Sequence, residues 1–135
     1  MIAPLGLGDV SALAALWEAC GLTRPWNDPT SDARLAIEGA TSAILGLRDG
    51  DALIASVMVG FDGHRGWVYY LAVAPDRRRE GLGRQLMDAA EAWLRARGVP
   101  KLQLMVRASN EEALGFYEAL GLERQEVVTL GRFLR

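Results

Sequence analysis

The segment from Tyr69 to Gly83, YYLAVAPDRRREGLG, constrains the fold more than any other part of the chain. It runs from an apolar strand through three arginines to Gly81 and Gly83, where a helical pattern begins. The first N–H groups of a helix have no intrahelical partner, and a glycine there has no Cβ to keep an anion away. The segment therefore predicts a strand, a phosphate-binding loop and a helix in succession.

The helical pattern runs from Gly81 to Arg97 and is followed by a further strand. Gly98 and Pro100 end the helix, and the residues from Lys101 to Val106 are typical of a strand. Strand, helix and strand over this distance predict a parallel pair joined by a right-handed crossover. The apolar residues on one side of the helix are Leu82, Leu86, Met87, Ala90, Trp93 and Leu94.

The remaining pattern predicts a mixed α/β order without repeats. Before the central segment, the expected elements are a strand at Ile2–Leu5, a helix capped by Asp9 and ending at Gly21, a loop at Leu22–Pro29, a helix from Ser31 or Asp32 to about Ala40, and three antiparallel strands at Ser42–Arg48, Ala52–Gly60 and Trp67–Ala74. After it, Asn110 is expected to cap a helix that ends at Gly121, and a last strand is expected near Gln125–Leu130. The predicted order is βααβββαβαβ.

Composition limits the class of protein. A chain of 135 residues, half of them hydrophobic, is expected to form a single domain over 1–135. A net charge of −2 gives no general reason to bind nucleic acid or an anionic membrane. Cys20 is the only cysteine, which excludes an internal disulfide and fits a reducing compartment. No apolar run approaches the ~18 residues that a membrane span needs, so we expect a cytoplasmic protein.

Two motifs carry a family resemblance. The first is Arg78-x-x-Gly81-x-Gly83, and the second is Asn110-x-x-Ala113-x-x-Phe116-Tyr117-x-x-x-Gly121. Together they resemble the GNAT superfamily of acyl-CoA-dependent acyltransferases. The segments RPWNDP, FDGHRG and YYL are similar to those of its YpeA-type bacterial acetyltransferases, and the resemblance spans nearly the whole chain. It implies an α+β GNAT fold, in which a mixed, mostly antiparallel sheet of six or seven strands is flanked by four helices.

The resemblance also implies acetyl-CoA as co-substrate, with no metal. In the family, the strand before the loop carries a bulge and parts from the next strand, which leaves backbone N–H groups for the cofactor. Tyr117 matches the tyrosine that protonates the departing thiolate, and Asn110 matches an asparagine that contacts the cofactor. The implied cofactor-binding residues are Leu71, Ala72, Val73, Arg78, Arg79, Glu80, Gly81, Leu82, Gly83, Arg84, Asn110 and Tyr117.

The same residues allow alternatives to phosphate binding. An arginine run can be a solvated surface or a nucleic-acid patch, and Arg77 is expected to be exposed. A dinucleotide-binding loop is rejected, because Leu86 replaces its third glycine and no acidic residue ends the following strand.

The acceptor side departs from the family pattern. Many members carry a glutamate on the strand that matches Trp67–Ala74, and this strand has no carboxylate. Met105 stands where the branch that acetylates protein N-termini has another glutamate. Candidate bases are Asp28, Asp62, His64, Tyr69 or an ordered water chain. Candidate substrate contacts are Arg24, Trp26, Asp28 and Tyr69, unless Trp26 simply packs as a lid.

Two functions from different classes follow from the resemblance. The first is N-acetylation of a small-molecule or peptide amine by direct attack on acetyl-CoA, with backbone N–H groups stabilising the oxyanion and Tyr117 as general acid. The alternative is a CoA-binding sensor or interaction module without transfer. Acylation of a charged tRNA fits poorly with the acidic balance. The apolar segment Val127–Leu134 leaves a homodimer open.

Overall fold

In the computed structural model, which describes residues 1–134, five strands form one mixed sheet. Their order across the sheet is their order along the chain, so each strand pairs with its sequence neighbours. The first four pair antiparallel, and the last pair is parallel. The strands are β1 (Ala3–Pro4), β2 (Ser42–Asp49), β3 (Ala52–Phe61), β4 (Gly66–Val73) and β5 (Leu102–Leu104).

Four helices accompany the sheet in the described residues. They are α1 (Val10–Ala19), α2 (Pro29–Glu38), α3 (Leu82–Arg95) and α4 (Glu111–Ala119). As expected, α3 connects the parallel strands β4 and β5. The chain divides into two compact units: residues 1–105 contain the sheet and the first three helices, and the second unit, from Val106 onward, contains α4. A single domain over the whole chain stays a prediction.

The core of the first unit lies between α1, α2 and the sheet. Trp17 and Leu13 of α1 and Ile44 of β2 are fully buried there, together with Ala72 of β4. Each buried large side chain contributes about 1.5–3 kcal/mol of burial free energy. The indole Nε1 of Trp17 donates to Ser56 Oγ at 3.2 Å, which satisfies both buried polar groups.

Helices cover both faces of β3, since its residues from Ile54 to Val57 are all buried. Leu86, Met87 and Leu94 form the buried side of α3. Gly66 allows this close packing, because a Cβ at that position would lie 2.6 Å from Leu94 Cδ1. The approach of α3 to β4 brings the loop between them into a defined position.

The structure corrects the predicted last strand. Residues 123–134 form no strand, so the described sheet has five strands rather than six or seven. Val127, Val128 and Leu130, which lie within the predicted strand, are exposed. A short strand has no stability without a partner edge, and the local pattern cannot supply one.

One helix start and one capping contact also differ from the sequence prediction. Asp28 caps α2 by accepting from Thr30 N at 3.1 Å, and Pro29 takes the first helical position, three residues before Asp32. Asp9 does lie at the cap position of α1, but its carboxylate accepts from Gly6 N at 2.8 Å and pairs with Arg48 instead of capping.

Candidate active site

A bulge interrupts β4 next to its C-terminal end. Ser56 pairs with Ala72 and Met58 pairs with Tyr69, so Tyr70 and Leu71 together lie opposite Val57. Tyr70 has φ 51°, a left-handed conformation that costs a non-glycine residue about 1–3 kcal/mol. The bulge was expected from the family resemblance, and the structure contains it. It redirects the backbone between residues 70 and 73.

Beyond the bulge, β4 has one open edge. Its last pair with β5 is Val68 with Leu104, and no strand in the described part of the chain continues on that side. An unpaired strand edge can accept an extended ligand as an additional strand. The three predicted cofactor residues from Leu71 to Val73 lie on this stretch.

The N-terminus of α3 follows a few residues later and carries no side-chain cap. Gly81 has φ 78° and Arg79 has φ 69°, both left-handed, and the first helical turn closes with Gln85 N donating to Gly81 O at 3.1 Å. The N–H groups of the first turn therefore have no acceptor within the helix. Backbone of this kind, at the positive end of a helix dipole, binds anions.

The arginines around this helix start divide into two groups. Arg78, Arg79 and Arg84 are exposed and form no ion pair within residues 1–134. Arg77, expected to be exposed, is half-buried and binds Asp49 at 2.7 Å and Glu80 at 3.0 Å. Arg78 Nε donates to Val73 O at 3.4 Å, which leaves its terminal nitrogens, together with the guanidinium groups of Arg79 and Arg84, as donors beside the uncapped helix start. The side chain of Glu80, by contrast, is held by Arg77.

The other two candidate cofactor residues lie in the second unit. Asn110 caps α4, as predicted, because its Oδ1 accepts from Ala113 N at 3.1 Å. The amide nitrogen of Asn110 is not used by this cap. Tyr117 is half-buried, with its ring edge-on to Phe116 at a centroid distance of 5.0 Å. Burial raises the pKa of Tyr117, so its hydroxyl stays protonated at neutral pH.

The candidate acceptor contacts have different environments. Arg24 is half-buried, and its Nη1 donates to Gly21 O and Thr23 O, both at 2.9 Å. Trp26 remains 47% exposed, so it is not a fully packed lid. Tyr69 is exposed at its outer edge, and burial of the rest, together with the negative charge of Asp62, raises its pKa.

Two of the candidate bases hold loops in place. Asp28 accepts from Ser31 Oγ at 2.8 Å in addition to its capping bond, and these hydrogen bonds lower its pKa. Asp62 accepts from Arg65 N at 2.8 Å, His64 N at 2.9 Å and Trp67 Nε1 at 3.2 Å, which also lower its pKa. A carboxylate with a lowered pKa is a weaker base, so both fit a structural role better.

The structure places one further carboxylate beside the bulge, and sequence reasoning missed it. Asp32 of α2 accepts a hydrogen bond of 2.7 Å from the hydroxyl of Tyr70. Burial, followed by this bond to Asp32, raises the pKa of Tyr70 strongly, so the tyrosine remains a donor. Its ring stacks on Trp17 with centroids 4.0 Å apart. Asp32 and Tyr70 are 38 residues apart, and no local pattern connects them.

Comparison with known proteins assigns this fold to a class of acyl-CoA-dependent transferases. The model of the acetyltransferase (GNAT) family matches residues 11–122. An acetyltransferase of Pectobacterium atrosepticum is 43% identical over 126 residues, which cover 93% of this chain and 89% of that protein. The chain therefore belongs to the GNAT acetyltransferase family and is an acyltransferase.

Solved structures show the same architecture. The ribosomal-protein-S18-alanine N-acetyltransferase from Escherichia coli has a TM-score of 0.77 and 30% identity, with 90% of this chain and 76% of that chain covered. AAC(6')-Iy, in complex with the bisubstrate analog CoA-S-monomethyl-acetylneamine, has a TM-score of 0.83 and 16% identity, with coverage of 98% and 97%. At that identity the second likeness concerns the fold alone.

None of the helices within residues 1–134 is long and apolar enough to cross a membrane. In the same part of the chain, no group of three or more His, Cys, Asp or Glu side chains is arranged to hold a metal ion.

Proposed function

We propose that this protein transfers the acetyl group of acetyl-CoA to the primary amine of a small molecule or peptide. The observation that carries the proposal is the open edge of β4 beyond Val68, followed at once by the uncapped N-terminus of α3. Coenzyme A is a pantetheine arm attached to a pyrophosphate, so it needs a strand-like edge at one end and an anion site at the other. The same polypeptide segment offers both.

The anion site would hold the pyrophosphate. The backbone N–H groups of the first turn of α3 have no acceptor within the helix, and Arg78, Arg79 and Arg84 add positive charge near them. Glu80 contributes its backbone only, because its carboxylate pairs with Arg77. Asn110 would donate from its amide nitrogen, the group that its capping bond leaves available.

Acetyl-CoA supplies an activated acyl group as a thioester. The N–H groups between Leu71 and Val73 would stabilise the negative charge that develops on the carbonyl oxygen, and one such donor is typically worth about 3 kcal/mol. The neutral amine nitrogen bonds to the acyl carbon while the carbon–sulfur bond breaks, and no covalent enzyme intermediate forms. The nitrogen releases one proton to solvent water, and water returns a proton to Tyr117 after it has protonated the sulfur. Tyr117 would give its proton to the departing sulfur, and its raised pKa ensures that the proton is present.

A second candidate function is a CoA-binding sensor or interaction module that does not transfer the acyl group. Two observations favour it: β4 carries no carboxylate, and Asp28 and Asp62 are both held by loop hydrogen bonds. Both functions share the cofactor site and differ only on the acceptor side. The cytoplasmic location and the homodimer stay predictions.

Two measurements on one preparation test the proposal. Calorimetry with acetyl-CoA should show saturable binding, and a panel of amines and peptides should release free CoA thiol in the presence of the enzyme. Binding without thiol release from any acceptor would support the sensor instead. Folded protein that shows no heat and no saturation with acetyl-CoA would contradict both functions.

The role of Tyr117 has its own test. Tyr117→Phe should lower kcat by about 10²–10⁴ while the dissociation constant of acetyl-CoA changes little, because only the proton donor is removed. Phe keeps the ring and its edge-on contact with Phe116. Equal loss of turnover and of acetyl-CoA affinity would assign Tyr117 to binding rather than to proton transfer.

A further inference from the structure

We propose that Asp32, held in place by Tyr70, binds the ammonium group of the acceptor amine. This inference rests on the proposed acetyl transfer and adds the residue that positions the acceptor. It predicts that the preferred acceptors are amines that are cationic in solution rather than neutral nucleophiles.

The hydrogen-bond geometry at Asp32 carries the first step. The Tyr70 hydroxyl donates to Oδ2 at 2.7 Å, which leaves Oδ1 as an acceptor. Asp32 is half-buried and forms no ion pair with a cation in residues 1–134. A carboxylate in this setting gains more from an ammonium than one fully exposed to water, because the charge-assisted bond is less screened.

The second step is the rigidity of Tyr70. Its ring stacks on the fully buried Trp17 with an interplanar angle of 8°, and Trp17 is itself held by Ser56. The hydroxyl therefore has a defined position, and through it so does the carboxylate of Asp32. The left-handed backbone of Tyr70 is retained in the strand because this stack and this hydrogen bond compensate for its cost.

The third step is location. Tyr70 lies in the bulge of β4 and directly precedes Leu71, where the strand edge is open. Asp32 thus lies about one tyrosine side chain from the open edge, so it binds the arriving ammonium. The amine then gives one proton to solvent water, leaves the carboxylate and reaches the thioester as the neutral nucleophile. The other carboxylates considered as bases, Asp28 and Asp62, are already occupied by several loop hydrogen bonds.

The test compares charged and neutral acceptors. Thiol release is measured with primary alkylamines such as benzylamine and phenethylamine, which are cations at neutral pH, and with aniline and benzhydrazide, which are neutral. Asp32→Asn should raise KM for the alkylamines about 10- to 100-fold, the loss typical of a charge-assisted hydrogen bond. For the neutral acceptors, KM should change less than about threefold.

Matched variants separate this role from a structural one. Glu38→Gln removes the same charge from the exposed last residue of α2 and should leave both classes of acceptor unchanged. Tyr70→Phe keeps the ring on Trp17 and removes only the hydroxyl, and it should raise KM for alkylamines about fivefold. The affinity for acetyl-CoA, measured by calorimetry, should be unchanged in all three variants.

Several outcomes would overturn the inference. An equal effect of Asp32→Asn on cationic and neutral acceptors, or no effect on either, would remove Asp32 from amine recognition. Should Asp32→Asn fail to fold, Tyr70→Phe with an unchanged preference for alkylamines would have the same meaning. Absence of thiol release by the wild-type protein with every acceptor is a different failure, because it rejects the acetyl transfer itself and the inference with it.

Discussion

Tyr70 shows how much one residue can depend on its tertiary neighbours. Within the sequence YYLAV, Tyr70 has the pattern of an ordinary strand residue. In the structure its φ is 51°, and its hydroxyl donates to a carboxylate on α2. Asn110 is the opposite case, since a cap depends only on the residues within the next turn. It was predicted correctly for that reason.

At the residue scale, the bond between Trp17 and Ser56 gives a stability prediction. Ser56→Ala should lower the free energy of unfolding by about 1–3 kcal/mol, because the buried indole N–H loses its acceptor. Urea denaturation measures the change. Ser11→Ala, on the exposed side of α1, is the control and should stay within about 0.5 kcal/mol of wild type. An unchanged midpoint in Ser56→Ala would show that the bond contributes nothing net.

At the element scale, the unit of β4, α3 and β5 was predicted correctly in type and order. The strand β4 begins and ends one residue earlier than predicted, and α3 and β5 each begin one residue later and end two residues earlier. Its helix is amphipathic and its ends carry Gly81 and Gly98, so the local signals agree with one another. The start of α2 was predicted too late, because Ser31 and Asp32 are equally good local caps. In the structure the cap is Asp28, whose carboxylate accepts hydrogen bonds from Thr30 N and Ser31 Oγ.

The two ends of α3 offer a matched pair of glycines. Gly81 has φ 78° and Gly98 has φ 73°, and a Cβ at either position would meet no atom within 4 Å. Gly81→Ala and Gly98→Ala should each lower the free energy of unfolding by about 1 kcal/mol, the cost of a left-handed alanine. Only Gly81→Ala should also weaken acetyl-CoA binding, because its methyl group would enter the proposed pyrophosphate site.

Denaturation and calorimetry on the two proteins decide this prediction. The Gly98 variant is the control for backbone strain alone. Equal acetyl-CoA affinity in the two variants would contradict a pyrophosphate at the start of α3.

At the scale of the whole molecule, the apolar C-terminal segment is the main departure from prediction. Val128 and Leu130 are 85% and 90% exposed. Because these side chains contact solvent, Val128→Lys and Leu130→Lys should each change the free energy of unfolding by less than about 0.5 kcal/mol. A larger loss that depends on protein concentration would show that a second copy of the chain covers the segment, and sedimentation would then detect the dimer.

The sequence by itself determined the order of most elements, because helix periodicity, caps and glycine-rich turns act between residues a few positions apart. Its two motifs carried the family resemblance, and the phosphate-binding segment stays a prediction. Only the tertiary structure decided whether residues 125–130 form a strand, how Arg77 is paired, and which carboxylate lies beside the bulge. A strand needs a partner edge, and an ion pair or a hydrogen bond between helix and sheet needs two distant segments to meet. Both are properties of chain packing, which the local sequence does not contain.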